Sequence, residues 1–237
     1  MSDSPMVLKG EERIVQALRS LYSSYGYAKY KMRRFEEYDL YARNKDFLVS
    51  GNIITFTDTD GSLMALKPDV TLSIVKGFRE ESQCISRVTY DENVYRVSSS
   101  SSSFREITQV GLECLGDIGF VQLGEVALLA QKSLILISER SMLTISHMDI
   151  TEAFLLDISS LKARKEALSY LEKRNISAMD KLVSDYPECS EAIMKLGSLM
   201  KLNGSNKETL SSLRAMGAEE KVVEELEEIV SILDEEK

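Results

Sequence analysis

Two strand-forming segments flank six consecutive serines, and this arrangement limits the possible folds more than any other feature of the chain. Residues 84–97 and 105–115 are rich in β-branched and aromatic side chains, which predicts two strands. Residues 98–103 are all serine, so the connection between the strands is a loop. The chain is therefore expected to contain a sheet in which these two strands are joined by the serine loop.

The second predicted strand has two chemically different sides. Side chains alternate along a strand, so every second residue of 105–113 lies on the same side. That side carries a cation, an amide, a gap and an anion, and the glycine leaves room for a ligand to lie on the sheet. A solvated sheet face fits the same pattern equally well, so alternation alone leaves both interpretations open. The polar side carries Arg105, Gln109, Gly111 and Glu113. The other side carries Glu106, Thr108, Val110, Leu112 and Cys114, and only its later part is apolar.

Further helices and strands are predicted around this strand pair. Residues 10–24 and 118–138 predict helices, and residues 54–67 predict a hairpin around an Asp-Thr-Asp-Gly turn. Lys67, Pro68 and Asp69 end the hairpin and begin a helix. Residues 142–148 predict another strand. The inward residues of the helix that follows Asp69 are predicted to be Val70, Ile74 and Val75.

The chain changes character near residue 155. Everything beyond that point favours helix and is nearly free of strand signals, and the last segment is an acidic amphipathic helix. The sequence therefore predicts two domains, a mixed α+β domain over residues 1–155 and a small helical domain over residues 156–237.

Charge and composition bear on the class of partner. The formal net charge is −9, which argues against nucleic acid because phosphate binding needs a surplus of lysine and arginine. Three scattered cysteines form no CxxC pair, so we expect no metal site, no disulfide framework and a reducing cytoplasm. The start of the chain has no apolar signal core, and the apolar run within residues 126–137 is too short for a membrane span and predicts a buried helix. The single histidine, His147, has no nucleophile or metal-ligand companion and is expected to be structural.

Four segments, in order, resemble the catalytic core of histidyl-tRNA synthetase, a class II aminoacyl-tRNA synthetase. YGYAKYKMRRFEEYDLY resembles the first class II motif, which builds the dimer interface, although Arg34 stands where the family has proline. FTDTDGSLMALKPDVTLSIVKG resembles the hairpin and helix of the "LRPD-x-T" segment. DENVYR with FREITQVGLECLG resembles the two strands of the second motif, and TISHMDITEAFLLD resembles the "GHV" strand and helix. The implied fold is α+β, a class II synthetase-like antiparallel sheet flanked by helices, with a small helical C-terminal part.

By this resemblance, the polar side of the second strand belongs to a histidine site. Asp69 and Thr71 would hold the ammonium group of the amino acid. Gln109 would bridge its ammonium and carboxylate groups, and Glu113 would bind its imidazole ring.

Two departures from the synthetase pattern bear on catalysis. Arg96 matches the second-motif arginine that grips the α-phosphate of ATP, and Arg105 is a further candidate anion contact, but Ser98 replaces the glutamate that reads adenine. The loop that is normally charged is here serine, which offers no charge to a triphosphate. The "LDYYTG" segment and the third class II motif occur nowhere in the chain, so the ATP pocket is expected to lack a wall. We therefore expect no catalytic residue, no cofactor and no metal.

These departures favour the family's non-charging paralogue, the regulatory subunit of ATP phosphoribosyltransferase in histidine biosynthesis. The resemblance then implies a cytoplasmic protein that binds the short-form catalytic subunit and helps to sense histidine. It also implies a homodimer or hetero-oligomer, with neither nucleic acid nor membrane as a partner. Two alternatives stay open: a fragment of an authentic histidyl-tRNA synthetase, which activates histidine with ATP and charges tRNA, or a synthetase-like interaction module with no histidine role.

Overall fold

The structure is a computed structural model that describes residues 10–44, 53–78, 84–98 and 103–235. The chain divides into two units, Met1–Ser141 and Met142–Lys237. The expected domain boundary between residues 155 and 156 falls inside the second unit. The segment that resembles the "GHV" strand and helix therefore lies in the second unit.

The described residues of the first unit form four helices and six strands. In chain order these are α1 Gly10–Ser24, β1 Ala28–Lys29, β2 Phe35–Glu37, α2 Tyr38–Arg43, β3 Thr55–Thr57, β4 Leu63–Leu66, α3 Thr71–Gly77, β5 Ser86–Val97, β6 Phe104–Leu115 and α4 Phe120–Ile137.

The main sheet has the strand order β1–β5–β6. Strands β5 and β6 pair antiparallel along their whole length, from Ser86 opposite Leu115 to Val97 opposite Phe104, and β1 adds a short parallel edge. The two predicted strands are therefore confirmed, and the serines follow directly on their paired ends. At that end the backbone N–H of Ser98 donates to the carbonyl of Ser103 at 2.9 Å, whereas residues 99–102 lie outside the described residues.

The apolar side of β6 packs against helices, as the alternation predicted. Val110, Leu112 and Cys114 lie against a cluster that includes Leu18 from α1 and Leu129 from α4. Because neighbouring side chains on a strand point to opposite sides, Gln109 and Glu113 face away from this cluster. The polar side of β6 therefore faces α3 and the residues that precede this helix.

A second sheet, with the order β2–β4–β3, leads the chain into α3. The predicted hairpin is confirmed as β3 and β4, whose turn is closed by the N–H of Gly61 donating to the carbonyl of Asp58 at 3.0 Å. Gly61 has a φ of 89°, a left-handed conformation that glycine adopts without steric cost. Strand β4 ends at Leu66, so the residues immediately after this sheet begin the approach to α3.

Helix α3 confirms two of its three predicted inward residues. Val70 and Ile74 are buried in a cluster with Val94 of β5. The prediction for Val75 was wrong, since that side chain is 47% exposed. Leu72, Ser73 and Ile74 form the buried side of α3, and the rotation of about 100° per residue carries Val75 past the edge of that side.

Helix α4 confirms the predicted apolar helix but not its burial. Gly124, Leu128 and Leu129 are buried, whereas Val121 is 72% and Ile135 is 53% exposed. Helix α4 has 18 residues and is long and apolar enough to cross a membrane by length and composition. The prediction that this apolar segment is too short for a membrane span was therefore wrong. The helix extends further toward its N-terminus than the run from which the length was judged. One such helix is weak support for a membrane span, because core helices of soluble proteins pass the same test.

The second unit is helical over its described residues. Its core is a single large cluster that every long helix of the unit helps to form. Those helices are α5 Met148–Leu156, α6 Leu161–Glu172, α7 Ile176–Asp185, α8 Ser190–Lys201, α9 Asn206–Ala215 and α10 Glu220–Glu235, with a 3-10 turn at Pro187–Cys189.

The strand predicted over residues 142–148 was wrong. Residues 142–147 are irregular and Met148 begins α5. The ring of His147 caps this helix, because its Nδ1 accepts the N–H of Asp149 at 3.3 Å, and its Nε2 lies 3.3 Å from Oε2 of Glu225. The local preference for strand is thus overridden by a helix start, and His147 has a structural role there.

Candidate functional site

The segment that carries Asp69 is held across the end of β5 by its backbone and by one buried lysine. The N–H of Tyr95 donates to the carbonyl of Lys67 at 2.8 Å, and the N–H of Lys67 donates to the carbonyl of Arg34 at 3.1 Å. The Lys67 side chain is fully buried, and its Nζ lies 3.0 Å from Oε2 of Glu92. This ion pair fixes the position from which α3 begins.

Three predicted residues meet where α3 crosses the polar side of β6. The hydroxyl of Thr71 donates to Oε1 of Glu113 at 2.7 Å. Asp69 lies two residues before Thr71, and its Oδ1 accepts the N–H of Leu72 at 3.2 Å. Burial raises the pKa of Glu113, the Thr71 hydrogen bond opposes this, and the nearby Asp69 carboxylate raises it further. The structure thus brings Asp69, Thr71 and Glu113 together in a negatively charged cluster, in which the two carboxylates are partly buried and Thr71 is exposed.

Gln109 lies on the same side of β6 as Glu113. In the strand register it stands opposite Glu92, the residue that pairs with Lys67. Side chains directly opposite each other in an antiparallel pair share a face, so Gln109 belongs to the face that α3 approaches. The structure therefore places Gln109 on the same sheet face as the Asp69, Thr71 and Glu113 cluster, two residues before Gly111 along β6.

The gap expected at Gly111 is filled. Tyr90 stands opposite Gly111, and a Cβ built on this glycine would lie 2.6 Å from the Tyr90 hydroxyl oxygen. The end of the tyrosine side chain therefore occupies the space that the sequence pattern left for a ligand. Burial, and then the Glu113 and Asp69 carboxylates, raise the pKa of Tyr90 to about 12.

The two arginines of the site stand side by side at the serine end of the strand pair. Arg96 and Arg105 are directly opposite in register, and Nε of Arg96 donates to the carbonyl of Pro68 at 3.0 Å. Like charges directly opposite each other on a sheet repel. A bound anion at this end would offset that repulsion, which agrees with the prediction that Arg96 and Arg105 contact an anion.

Sequence reasoning missed Lys67, Tyr90 and Glu92 as parts of the site. Tyr90 and Glu92 depend on the register between β5 and β6, which places Tyr90 over Gly111 and Glu92 beside Gln109. Lys67 depends on the backbone hydrogen bonds that its segment makes with Tyr95 and Arg34. The sequence carried one usable signal, a lysine next to Pro68 at the end of an otherwise apolar strand. Within the described ranges, no group of three His, Cys, Asp or Glu side chains could hold a metal ion.

Comparison with known proteins assigns the family. A family model described as histidyl-tRNA synthetase matches residues 3–237. The chain belongs to the histidyl-tRNA synthetase family. This confirms the family resemblance found in the sequence.

The curated relatives of this chain carry two kinds of name. An ATP phosphoribosyltransferase regulatory subunit from Oceanobacillus iheyensis is 24% identical over 106 residues, which cover 44% of this chain and 26% of the relative. Another protein of that name, from Caldanaerobacter subterraneus, is 31% identical over 110 residues, with 45% and 28% covered. A histidine–tRNA ligase from Methanocaldococcus jannaschii is 28% identical over 116 residues, with 47% and 28% covered. The matched region thus spans about a quarter of the length of these relatives.

Solved structures confirm the class II synthetase-like α+β fold of the family. A Bacillus halodurans ATP phosphoribosyltransferase regulatory subunit/histidyl-tRNA synthetase superposes with a TM-score of 0.80 at 19% identity, covering 99% of this chain and 66% of that one. A chain of an ATP phosphoribosyl transferase complex from Thermotoga maritima gives 0.75 at 20% identity, with 96% and 78% covered. Histidyl-tRNA synthetase from Nostoc sp. gives 0.71 at 15% identity, with 99% and 58% covered.

Proposed function

We propose that this chain is a regulatory subunit of ATP phosphoribosyltransferase. In this function it binds the short-form catalytic subunit, helps to sense histidine and performs no catalysis itself. It acts in the cytoplasm, where its free cysteines, of which Cys84 is exposed, stay reduced. The observation that carries the proposal is the contrast between the two ends of one sheet face: Thr71, Asp69 and Glu113 form a negatively charged cluster at one end, and the strand connection at the other end is uncharged serine.

The acidic end of this face suits the cationic groups of histidine. Asp69 and Thr71 offer oxygen acceptors to the ammonium group, and Glu113 offers its carboxylate to the imidazole ring. Glu113 already accepts one hydrogen bond, from Thr71, and each carboxylate oxygen has a second lone pair for a ligand. Gln109 can both donate and accept, so it suits the place where ammonium and carboxylate adjoin.

The other end of the face suits an anion but lacks what adenylate chemistry needs. Arg96 and Arg105 can hold a carboxylate or a single phosphate. Activation of an amino acid with ATP depends on positioned positive charge around the reacting phosphates. Ser98 and the serines that follow it supply no such charge.

Sensing then requires that histidine bind two states of the assembly with different affinity. A ligand shifts an equilibrium only by its differential affinity for the two states. Histidine and the catalytic subunit must therefore change each other's affinity for this chain by the same factor. Without such coupling the chain would bind histidine but would not regulate.

The test is reconstitution of the full-length protein with the catalytic subunit. We expect the two to elute together in size-exclusion chromatography and histidine to inhibit transferase activity. Glu113→Gln should weaken that inhibition and leave the assembly intact, whereas Glu106→Gln, on the opposite side of the same strand, should change neither. Failure to associate would overturn the proposal.

The same reagents separate the two alternatives. ATP–pyrophosphate exchange with histidine by the full-length protein would show an authentic synthetase. Association with the catalytic subunit, without heat on histidine titration in calorimetry, would show an interaction module with no histidine role.

A further inference from the structure

The side chain of Tyr90 lies between the two ends of the candidate histidine site. Along β6, Gly111 separates Gln109 from Glu113, and Tyr90 stands opposite that glycine. A Cβ on Gly111 would lie 2.6 Å from the Tyr90 hydroxyl oxygen, 2.8 Å from Cζ and 3.3 Å from Cε2. The edge of the phenol ring therefore rests on the glycine backbone, and any larger residue at position 111 would displace it.

The inner part of the Tyr90 ring is supported by apolar packing. Tyr90 packs against the buried cluster of Val70, Ile74 and Val94, which joins α3 to β5. The ring is only partly buried, so one part of it borders the surface on which Gln109 and Glu113 lie. It is thus a supported aromatic surface beside the polar groups of the site.

The hydroxyl group of Tyr90 adds a hydrogen-bond donor beside the two carboxylates of the cluster, Asp69 and Glu113. The Glu113 and Asp69 carboxylates both act on this hydroxyl, and together with burial they raise its pKa to about 12. The phenol is therefore protonated at neutral pH and offers its proton to an acceptor. A neutral imidazole has one acceptor nitrogen as well as one donor nitrogen, so both kinds of contact are available to it.

We propose that Tyr90 determines which amino acid this site accepts, by forming the wall against which a small planar ring lies and by closing the space that a longer side chain would need. The inference rests on the proposed histidine-sensing function. The ligand class is an α-amino acid with a flat nitrogen heterocycle, and the excluded class is an amino acid with a long cationic side chain, of which arginine is the probe.

Three substitutions separate the parts of this role. Tyr90→Phe keeps the wall and removes the hydroxyl donor, so histidine binding should weaken about five- to tenfold, the usual effect of losing one hydrogen bond. Tyr90→Ala removes the wall, so histidine should bind at least tenfold more weakly and arginine should bind more tightly than to the wild type. Gly111→Ala should displace the ring and weaken histidine about tenfold. Gly77→Ala is the matched control, since its Cβ would meet another tyrosine hydroxyl, that of Tyr30 at the far end of α3.

The measurement is isothermal titration calorimetry of the full-length protein and each variant with histidine and with arginine, after circular dichroism has shown that each variant is folded. We expect the ratio of histidine to arginine affinity to fall at least tenfold in Tyr90→Ala and to stay within twofold in Gly77→Ala. An unchanged ratio in Tyr90→Ala would overturn the inference while leaving the proposed function standing. Wild-type protein that binds no histidine, with Tyr90→Ala gaining arginine, would overturn histidine sensing and the planar-ring part of the inference, and would leave only the exclusion of longer side chains. No binding of either amino acid to any variant would overturn both.

Discussion

Removing one partner of the buried ion pair between Lys67 and Glu92 should cost more stability than removing one partner of an exposed pair. Nζ of Lys67 lies 3.0 Å from Oε2 of Glu92, and the lysine side chain has no exposed surface while the glutamate keeps 19%. At this distance the gross attraction is about 5–6 kcal/mol for an effective dielectric constant of about 20, most of which offsets the cost of removing both charges from water. Lys67→Met removes the cation of this pair and leaves the largely buried Glu92 carboxylate without it.

Breaking a buried pair on one side costs about 3–5 kcal/mol, and the residual exposure of Glu92 favours the lower end, about 3 kcal/mol. Replacing both partners, as in Lys67→Met with Glu92→Leu, removes both desolvation penalties, so the free energy of unfolding should return to within about 1 kcal/mol of the wild type. Lys76→Met is the matched control, because Lys76 pairs with Glu36 at 2.8 Å but is 47% exposed and should cost less than about 1 kcal/mol.

Urea unfolding followed by far-UV circular dichroism measures all four proteins. A loss below about 1 kcal/mol in Lys67→Met would refute the reasoning, and so would a double variant that is no more stable than the single one. Because Lys67 immediately precedes Pro68 and Asp69, the single variant should also weaken histidine binding in calorimetry, and the double variant should restore it.

Three further predictions concern charge and helix capping. Burial raises the pKa of Glu113, so ionisation of this carboxyl lowers the free energy of unfolding as the pH rises through the raised value. Glutamine cannot ionise, so Glu113→Gln should raise the free energy of unfolding at pH 7. The difference between variant and wild type should vanish toward pH 4 in urea titrations. Arg87 donates to Glu125 from Nε at 2.8 Å and lowers its pKa, so Glu125→Gln should cost about 1 kcal/mol at pH 7, a cost that disappears as the pH falls through the lowered value. Ser205 caps α9 in a capping box, so Ser205→Ala should cost about 1 kcal/mol in thermal unfolding, and Ser198→Ala, within α8, should cost less than half of that.

Alternation along β6 was readable from the sequence because it is a local property. Side chains on a strand point to alternate sides whatever the rest of the chain does, so the apolar set of Val110, Leu112 and Cys114 and the polar set of Gln109 and Glu113 separated correctly. Local propensity failed where a contact distant in sequence intervened. Residues 142–148 favour strand, yet His147 caps α5 and approaches Glu225, which lies far along the chain.

The sequence by itself determined the family, the α+β fold and the side of the strand that carries the polar residues, since these follow from motif order and from periodicity. Only the tertiary structure decided that Thr71 donates to Glu113, that Lys67 is buried against Glu92 and that Tyr90 covers Gly111. Each of these contacts joins separate elements, and its geometry depends on strand register and on where α3 crosses the sheet. Register and crossing are set by the packing of the whole unit, which no short stretch of sequence encodes.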